Sequence, residues 1–260
     1  MSEKDIHGKG FRQEDAGDSS MSVLLRILRA IKGTLLHPQW LSDRFHAKSR
    51  RCLMSIDSGR VLDIGSGDSD HSSLFGNRVQ LFRLDYPGTN AWYRARPDIF
   101  GDATCLPVSD CSMDSVLLLE VMEHVPDYRA VMRECRRVLS ADGRLFLSVP
   151  FVYPVHDAPH DYHRFTVHGL VSELEQAGFE IEDMQAHGNS IVVAIQMMNL
   201  SLLEMARLGL GKHLLLGAVL VPVVYLACLA NNLLAVPFLW MRFNRAAVFG
   251  HFVIARPGSR

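Results

Sequence analysis

The 260-residue chain reads as an α/β protein built on a doubly wound, mostly parallel sheet, with an apolar helical insertion late in the chain. Three observations predict this. Apolar runs of strand length alternate with helical periodicity between Arg60 and Pro150, and the first run ends in a glycine-rich turn. A stretch of 28 residues without a charge then lies between His213 and Arg242. With 48% apolar residues, the chain has material for one sizeable core and room for an appended element.

In chain order, residues 1–20 are polar and charged with no apolar centre, so they read as a disordered tail and not as a secretory signal. Residues 21–54 begin with a basic amphipathic helix. Leu24, Ile27, Leu28, Ile31 and Leu35 share one face, with Arg26, Arg29 and Lys32 opposite. Such a helix either caps a globular domain or lies on an anionic membrane surface. "RVLDIG", "VQLFRLDYPG", "SVLLLEVMEHV" and "GRLFLSVPF" are four strands. Between the last two, "DYRAVMRECRRVLSADG" places Val131, Met132, Cys135 and Leu139 on one helical face, with Gly143 as its stop. This βαβ rhythm puts ligands beyond the carboxyl ends of the strands.

Charge and cysteine content exclude other classes. The 27 basic and 28 acidic residues leave a formal charge of −1, which offers no basic surface to nucleic acid. The five cysteines include no CxxC pair, so neither a disulfide framework nor a zinc site is expected, and a reducing cytoplasm suits them.

The loop "VLDIGSGDSD", residues 61–70, carries Asp63, Asp68 and Asp70. A dinucleotide loop would have glycine where Asp70 stands, and a P-loop would have a lysine followed by serine or threonine. Carboxylates repel phosphates. They favour a ligand with a positive sulfonium and an α-amino group, to which the glycines allow close backbone approach.

These residues resemble the class I S-adenosylmethionine-dependent methyltransferases, particularly the ubiquinone-biosynthesis-like branch, over residues 55–188 and a final strand at 247–256. The resemblance implies S-adenosyl-L-methionine as cofactor. It implies that Asp63, Gly65 and Gly67, with Ser66 between them, receive the methionine part. Asp85, 22 residues after Asp63, would accept the ribose hydroxyls, with Tyr86 beside it. Asp102 would bond the adenine amino group, Ala103 would lie beside the ring, and Glu120 follows the third strand in the same block. Ser69 replaces a common third glycine. Each aspartate also has a plainer reading, Asp63 as a helix cap and Asp85 and Asp102 as turn residues.

Beyond the fourth strand, His156, Asp157, His160, Asp161, Tyr162, His163 and Arg164 crowd into nine positions. The spacing of His156 and His160 would suit a metal on a helix, but Pro159 breaks that helix, so no metal is expected. The loop resembles a segment of family members associated with bacterial glycan and envelope gene products. An alcohol acceptor needs a base, and His160 is the first candidate, oriented by Asp161 or Asp157, with His156 and His124 behind. The alternative is that these groups bond only their own loop.

The insertion, residues 189–245, is long enough to cross a bilayer. The strand after it resembles the family's last strand, antiparallel beside "FEIEDMQA", so both ends must return to one side. A helical hairpin, a re-entrant dip and a surface-lying pair all satisfy this. Asn231 and Asn232 are expected at its turn, between Pro222 and Pro237, with Arg207, Lys212, Arg242 and Arg245 flanking its ends. A lid or dimer interface would account for the same pattern. The domain plan is therefore tail 1–20, helix and cap 21–54, methyltransferase domain 55–188 with 246–260, and insertion 189–245. The expected function is methyl transfer, chiefly to oxygen, onto an amphiphilic or lipid-linked acceptor at the inner face of the membrane. The alternatives are a soluble small-metabolite enzyme that dimerises through the insertion and a catalytically silent membrane adaptor.

Overall fold

The computed structural model describes residues 30–67, 71–89, 97–212, 214–241 and 246–258. The expected tail, most of the amphipathic helix, Asp68, Ser69, Asp70, Arg242 and Arg245 lie outside the described residues. The described end of that helix leaves helical geometry after Ala30 and continues in turns to Gln39.

The chain forms two compact units. One comprises Ser49–Phe151, His160–His187 and Gly250–Arg260, and the other Met1–Lys48, Val152–Pro159 and Gly188–Phe249. The strands are β1 (Gly59–Ile64), β2 (Val79–Asp85), β3 (Ile99–Phe100), β4 (Met113–Leu119), β5 (Leu139–Pro150), β6 (Phe179–His187) and β7 (Gly250–Pro257). The helices are α1 (Trp40–Leu53), α2 (Tyr128–Val138), α3 (Val167–Gln176), α4 (Ser190–Lys212) and α5 (Leu214–Ala235).

The first unit holds a seven-stranded sheet of order β3-β2-β1-β4-β5-β7-β6. β1 to β5 are mutually parallel, and β7 runs antiparallel to both β5 and β6. Side chains alternate across it as strand geometry requires. Leu62, Ile64, Val116, Leu118 and Leu147 bury against Val131, Met132 and Cys135 of α2 and against Leu170 and Leu174 of α3. On the other face, Val61, Leu117, Phe146 and Phe252 pack with Leu53 and Ile56. The Asp127 carboxylate caps α2 by accepting the Ala130 N–H, and Thr166 caps α3 through Gly169.

Two local expectations change. Helix α2 ends at Val138, so Gly143 is not its stop but lies within β5. The reason is pairing. Leu139 adopts extended geometry, bonds back to the Cys135 carbonyl and pairs with Met113 of β4. Among the described residues, the connection from β1 to β2 contains only a single 3-10 turn, Ser72–Leu74, so Asp63 caps no α-helix there.

In the second unit one helix ends at Lys212 and the next runs from Leu214 to Ala235, so Asn231 and Asn232 are not at a turn. The asparagines lie inside α5 because their amides have better partners than water. Asn232 donates to the carbonyls of Leu35 and His37, both at 2.9 Å, and Asn231 donates to Asn199 Oδ1 at 2.9 Å. Asn199 in turn donates to Asn232 Oδ1 at 3.0 Å and to the Pro38 carbonyl at 3.1 Å. Asn189 caps α4 through the Val192 N–H. Below this network Leu41, Val192, Val193, Ile195, Ala235 and Phe249 form the unit's core.

The insertion leaves the sheet after His187 and re-enters at Gly250, two residues that are register partners. A Cβ on Gly250 would collide with the backbone carbonyl oxygen of Val149, which cannot swing aside as a side chain can. Gly250→Ala is therefore expected to cost about 2–3 kcal/mol of unfolding free energy, measured by urea denaturation of the full chain.

Candidate functional site

β1, β2 and β4 end at one edge of the sheet, and the turns that leave them build the site. Gly65 has φ +69°, and its N–H bonds to the Leu84 carbonyl at 2.8 Å. A Cβ there would stand 2.5 Å from Val121, so only glycine lets the first loop close on the turn after β4. Ser66 is buried behind it. Gly67 turns outward, and a Cβ built on it meets nothing within 4 Å.

Asp85 ties this loop to the next. It is 3% exposed at the end of β2. Its Oδ2 accepts the Gly67 N–H at 2.8 Å, while Oδ1 accepts the Tyr86 N–H and the Thr89 hydroxyl, both at 2.7 Å. A carboxylate offers about four lone-pair sites, so three bonds leave acceptor capacity on Oδ2. The Tyr86 ring is exposed beside it.

Asp63, also buried, accepts from His71 Nδ1 at 2.9 Å. Burial pushes its carboxyl above the ordinary 3.8, and His71 pulls the other way. Asp102 sits on an exposed turn, where Oδ1 accepts the N–H and hydroxyl of Thr104 at 2.8 and 2.7 Å. The turn role expected as its plainer reading is thus one it performs. Ala103 is half-buried against the core.

The turn after β4 carries the strain. Glu120 has φ +54°, which a non-glycine residue adopts at a cost of order 1–3 kcal/mol and keeps only where its surroundings enforce it. The bond from its N–H to the Ser148 carbonyl at 3.0 Å is part of that enforcement. Three residues on, Glu123 is fully buried, and neither carboxylate oxygen has a hydrogen-bond partner among the described residues. Burial, then the charge of Glu120, drives its carboxyl well above the ordinary 4.5. The neutral acid is the form this environment tolerates.

His124 lies next to it. Its Nδ1 is 2.7 Å from the His160 carbonyl oxygen. A carbonyl only accepts, so Nδ1 holds the proton and Nε2 of the neutral ring keeps its lone pair. Nε2 stands 3.7 Å from Glu123 Oε1. The Tyr162 N–H donates to the Glu123 carbonyl at 2.8 Å, a second tie between these two loops.

The histidine-rich segment divides. His160 is exposed, and its Nδ1 meets the Tyr162 hydroxyl at 3.2 Å. Asp161, expected to orient His160, instead grips the Arg164 guanidinium with both oxygens, Oδ2 at 2.6 Å. That bidentate pair outcompetes a single bond to a neutral imidazole. His156 belongs to the other unit, with Nδ1 3.3 Å from the Pro154 carbonyl and the Tyr153 ring edge-on at 5.3 Å. The residues brought together at the sheet edge are thus Asp63, Gly65, Ser66, Gly67, Asp85, Tyr86, Glu120 and His124. Glu123, His71 and Thr89 were not foreseen. Only Glu123 left a trace, as the one acid inside the apolar run "VMEHV".

A family model described as a methyltransferase domain matches residues 62–147, from β1 through β5. That stretch of the chain is thus similar to a methyltransferase domain. A probable S-adenosylmethionine-dependent methyltransferase of Mycolicibacterium smegmatis is 33% identical over 168 residues, 60% of this chain and 65% of that protein. The alignment thus falls just short of two thirds of that relative's length. The ubiquinone biosynthesis O-methyltransferase of Xanthomonas oryzae pv. oryzae is 51% identical over 106 residues, 36% of this chain and 44% of its own. The solved cyclase SpnF superposes with TM-score 0.52 at 17% identity, covering 96% of this chain and 87% of that one. At that identity the likeness speaks for the fold alone.

The methyltransferase domain's cofactor is S-adenosylmethionine, and the observed residues fit it. The loop presents an open α-carbon at Gly67 and buried carboxylates in place of cations.

The buried Glu123 carboxyl has a measurable signature. Above the ordinary 4.5, the native acid keeps a proton that the unfolded chain has released, so this group makes stability fall as pH rises, by about 1.4 kcal/mol per unit within the window. Urea unfolding at about pH 5 and about pH 8 is expected to show stability changing more unfavourably with rising pH in the native protein than in Glu123→Gln; Asp63 adds to the fall in both, and His251, whose pKa burial lowers, opposes it in both.

Proposed function

We propose that this chain transfers the methyl group of S-adenosylmethionine to an oxygen of an amphiphilic or lipid-linked acceptor, in a cell-envelope glycan or lipid pathway, at the cytoplasmic face of the membrane. The single observation that carries the methyl-transfer reading is the acidic glycine turn held by Asp85. Asp85 would hold the ribose diol through the free acceptor capacity of Oδ2. Gly65, Ser66, Gly67 and Asp63 would receive the methionine part. Tyr86, Asp102 and Ala103 would flank the nucleoside, and Glu120 would close the site from the turn after β4. When bound, the cofactor supplies the methyl group as an electrophile.

The chain's own task is to hold the acceptor hydroxyl in line and to take its proton. His124 is the base favoured here, because the His160 carbonyl fixes its proton on Nδ1 and leaves Nε2 able to accept another. His160 then acts mainly through its backbone, which positions the imidazole. Asp161 contributes through Arg164, whose guanidinium it holds at the same turn. The preference for oxygen draws support from the relative in Xanthomonas oryzae, named as an O-methyltransferase. The preference for an amphiphilic acceptor rests on α4 and α5. Ser190–Leu208 and Val219–Leu239 are each long and apolar enough to cross a membrane by length and composition.

Calorimetric titration with S-adenosylmethionine tests the cofactor role. Binding is expected for the full chain and a loss of about ten- to a hundredfold in Asp85→Asn, which keeps the shape and removes the charge. Titration with NAD is expected to give no heat. With labelled methyl donor and a bacterial membrane extract, label is expected in the organic-soluble fraction. His124→Gln lowers that incorporation by about two to four orders of magnitude, whereas His160→Ala, which keeps the backbone carbonyl, lowers it much less. Label confined to water-soluble metabolites would overturn the lipid-linked acceptor.

A further inference from the structure

The helical unit contains an asymmetry that length and composition do not reveal. One side of α5 is given to α4. Val224 and Cys228 bury against Leu202, Leu203 and Ala206, and Asn232 and Ala235 continue that buried line. On the opposite side, every exposed residue of α5 from Val219 onward is apolar: Val219, Pro222, Val223, Leu226, Ala230, Leu233 and Leu234. Val219 and Leu226 are each 63% exposed, and Trp240, which follows the helix, is 70% exposed. At the helical rise, the stripe from Val219 to Leu234 is about 22 Å long.

The exposed side of α4 is different. Met198, Met205 and Leu208 alternate there with Ser201, Glu204 and Arg207. Glu204 and Arg207 pair with each other in bidentate fashion at 2.6 and 2.8 Å, and both are half exposed. If α4 crossed a bilayer with Ser190 at one interface, this pair would stand about 21–26 Å along the helix, inside a hydrocarbon core about 30 Å thick. Hydrocarbon would deprive both half-exposed charges of solvent. A helix pair lying flat avoids that. With the α5 stripe down, the polar edge of α4 stays in water.

We propose that the outer face of α5 is a membrane-docking surface and that the α4/α5 hairpin lies in the plane of one leaflet of an anionic bilayer without spanning it. This rests on the membrane-associated reading above and adds its partner and its geometry. Charge at the ends of the stripe matches anionic headgroups. Arg44 lies 5.9 Å from the Trp40 ring and 6.0 Å from the Trp240 ring, which places a cation and two amphipathic rings where the stripe ends. In sequence, Lys212 precedes α5, and Arg242 and Arg245 follow it. A stripe of lipid-facing apolar residues flanked by Trp and basic side chains is the pattern of an interfacial helix.

The test is flotation of the full chain with vesicles of phosphatidylethanolamine and phosphatidylglycerol. It is combined with quenching by lipids brominated either near the glycerol end or near the methyl end of the acyl chain. The reporter is Leu226→Trp in a chain whose Trp40, Trp92 and Trp240 are replaced by Phe. Flotation is expected, with stronger quenching by the glycerol-end bromines. A Val223→Glu/Leu226→Glu double variant should lose at least about tenfold in vesicle affinity while its S-adenosylmethionine titration stays unchanged. Flotation with stronger quenching by the methyl-end bromines would overturn the in-plane geometry but leave membrane association standing. No flotation, together with a dimer in sedimentation that the double variant abolishes, would overturn the bilayer as partner and assign the stripe to a second copy of the chain. No flotation and no dimer would overturn both the docking surface and the membrane-associated reading.

Discussion

The pairing of β7 between β5 and β6 is the constraint on which the remaining architecture depends. β5 and β6 do not touch as neighbours. The antiparallel strand from the far end of the chain joins them, Val149 pairing with His251 on one side and Ala186 with His251 on the other. Because His187 and Gly250 are opposite each other in that register, everything between them must leave and return at one place. A chain so anchored cannot cross a membrane an odd number of times. The helical insertion therefore has to be a closed excursion, and α4 and α5 are antiparallel for that reason.

At the other side of the sheet, the site is organised by carboxylates instead of cations. Asp85 locks two loops through their backbone N–H groups, Asp63 is buried against His71, and Glu123 is buried with no side-chain hydrogen-bond partner among the described residues. Three acids near a cofactor loop are costly in a protein that binds phosphates. They are compatible with a cationic ligand. The strain at Glu120 and the desolvated Glu123 lie within four residues of each other, where function commonly concentrates unfavourable local energy. His124 shares that turn, and its tautomer is set by a backbone carbonyl, a partner that titration cannot remove.

The helical unit solves a different problem. Four amides, the buried Gln196, Asn199 and Asn232 and the half-buried Asn231, sit among apolar residues and bond one another or the carbonyls of the segment Leu35–Pro38. Such a network fixes the register of two otherwise featureless apolar helices, because a slip of one turn would strand each amide in an apolar setting. The same helices leave their outer faces unequal, and that inequality, more than their length, bears on how they meet a membrane.

The sequence alone determined six of the seven strands and their order of appearance, the glycine turn, its acidity and the presence of apolar helices late in the chain, but it passed over the two-residue β3. These follow from local chemistry: side-chain periodicity, the φ freedom of glycine, the absence of charge. It misplaced the hairpin turn because asparagine is a turn former only when no buried partner competes for its amide, and the partners of Asn231 and Asn232 lie more than thirty or almost two hundred residues away. It set Asp161 beside His160 on nearness in the chain, whereas Arg164 offered a stronger, bidentate bond. It passed over Glu123, whose significance comes from complete burial next to Glu120 and His124. Tertiary structure decided these points because desolvation and hydrogen-bond competition depend on which distant groups converge, and a linear pattern does not carry that convergence.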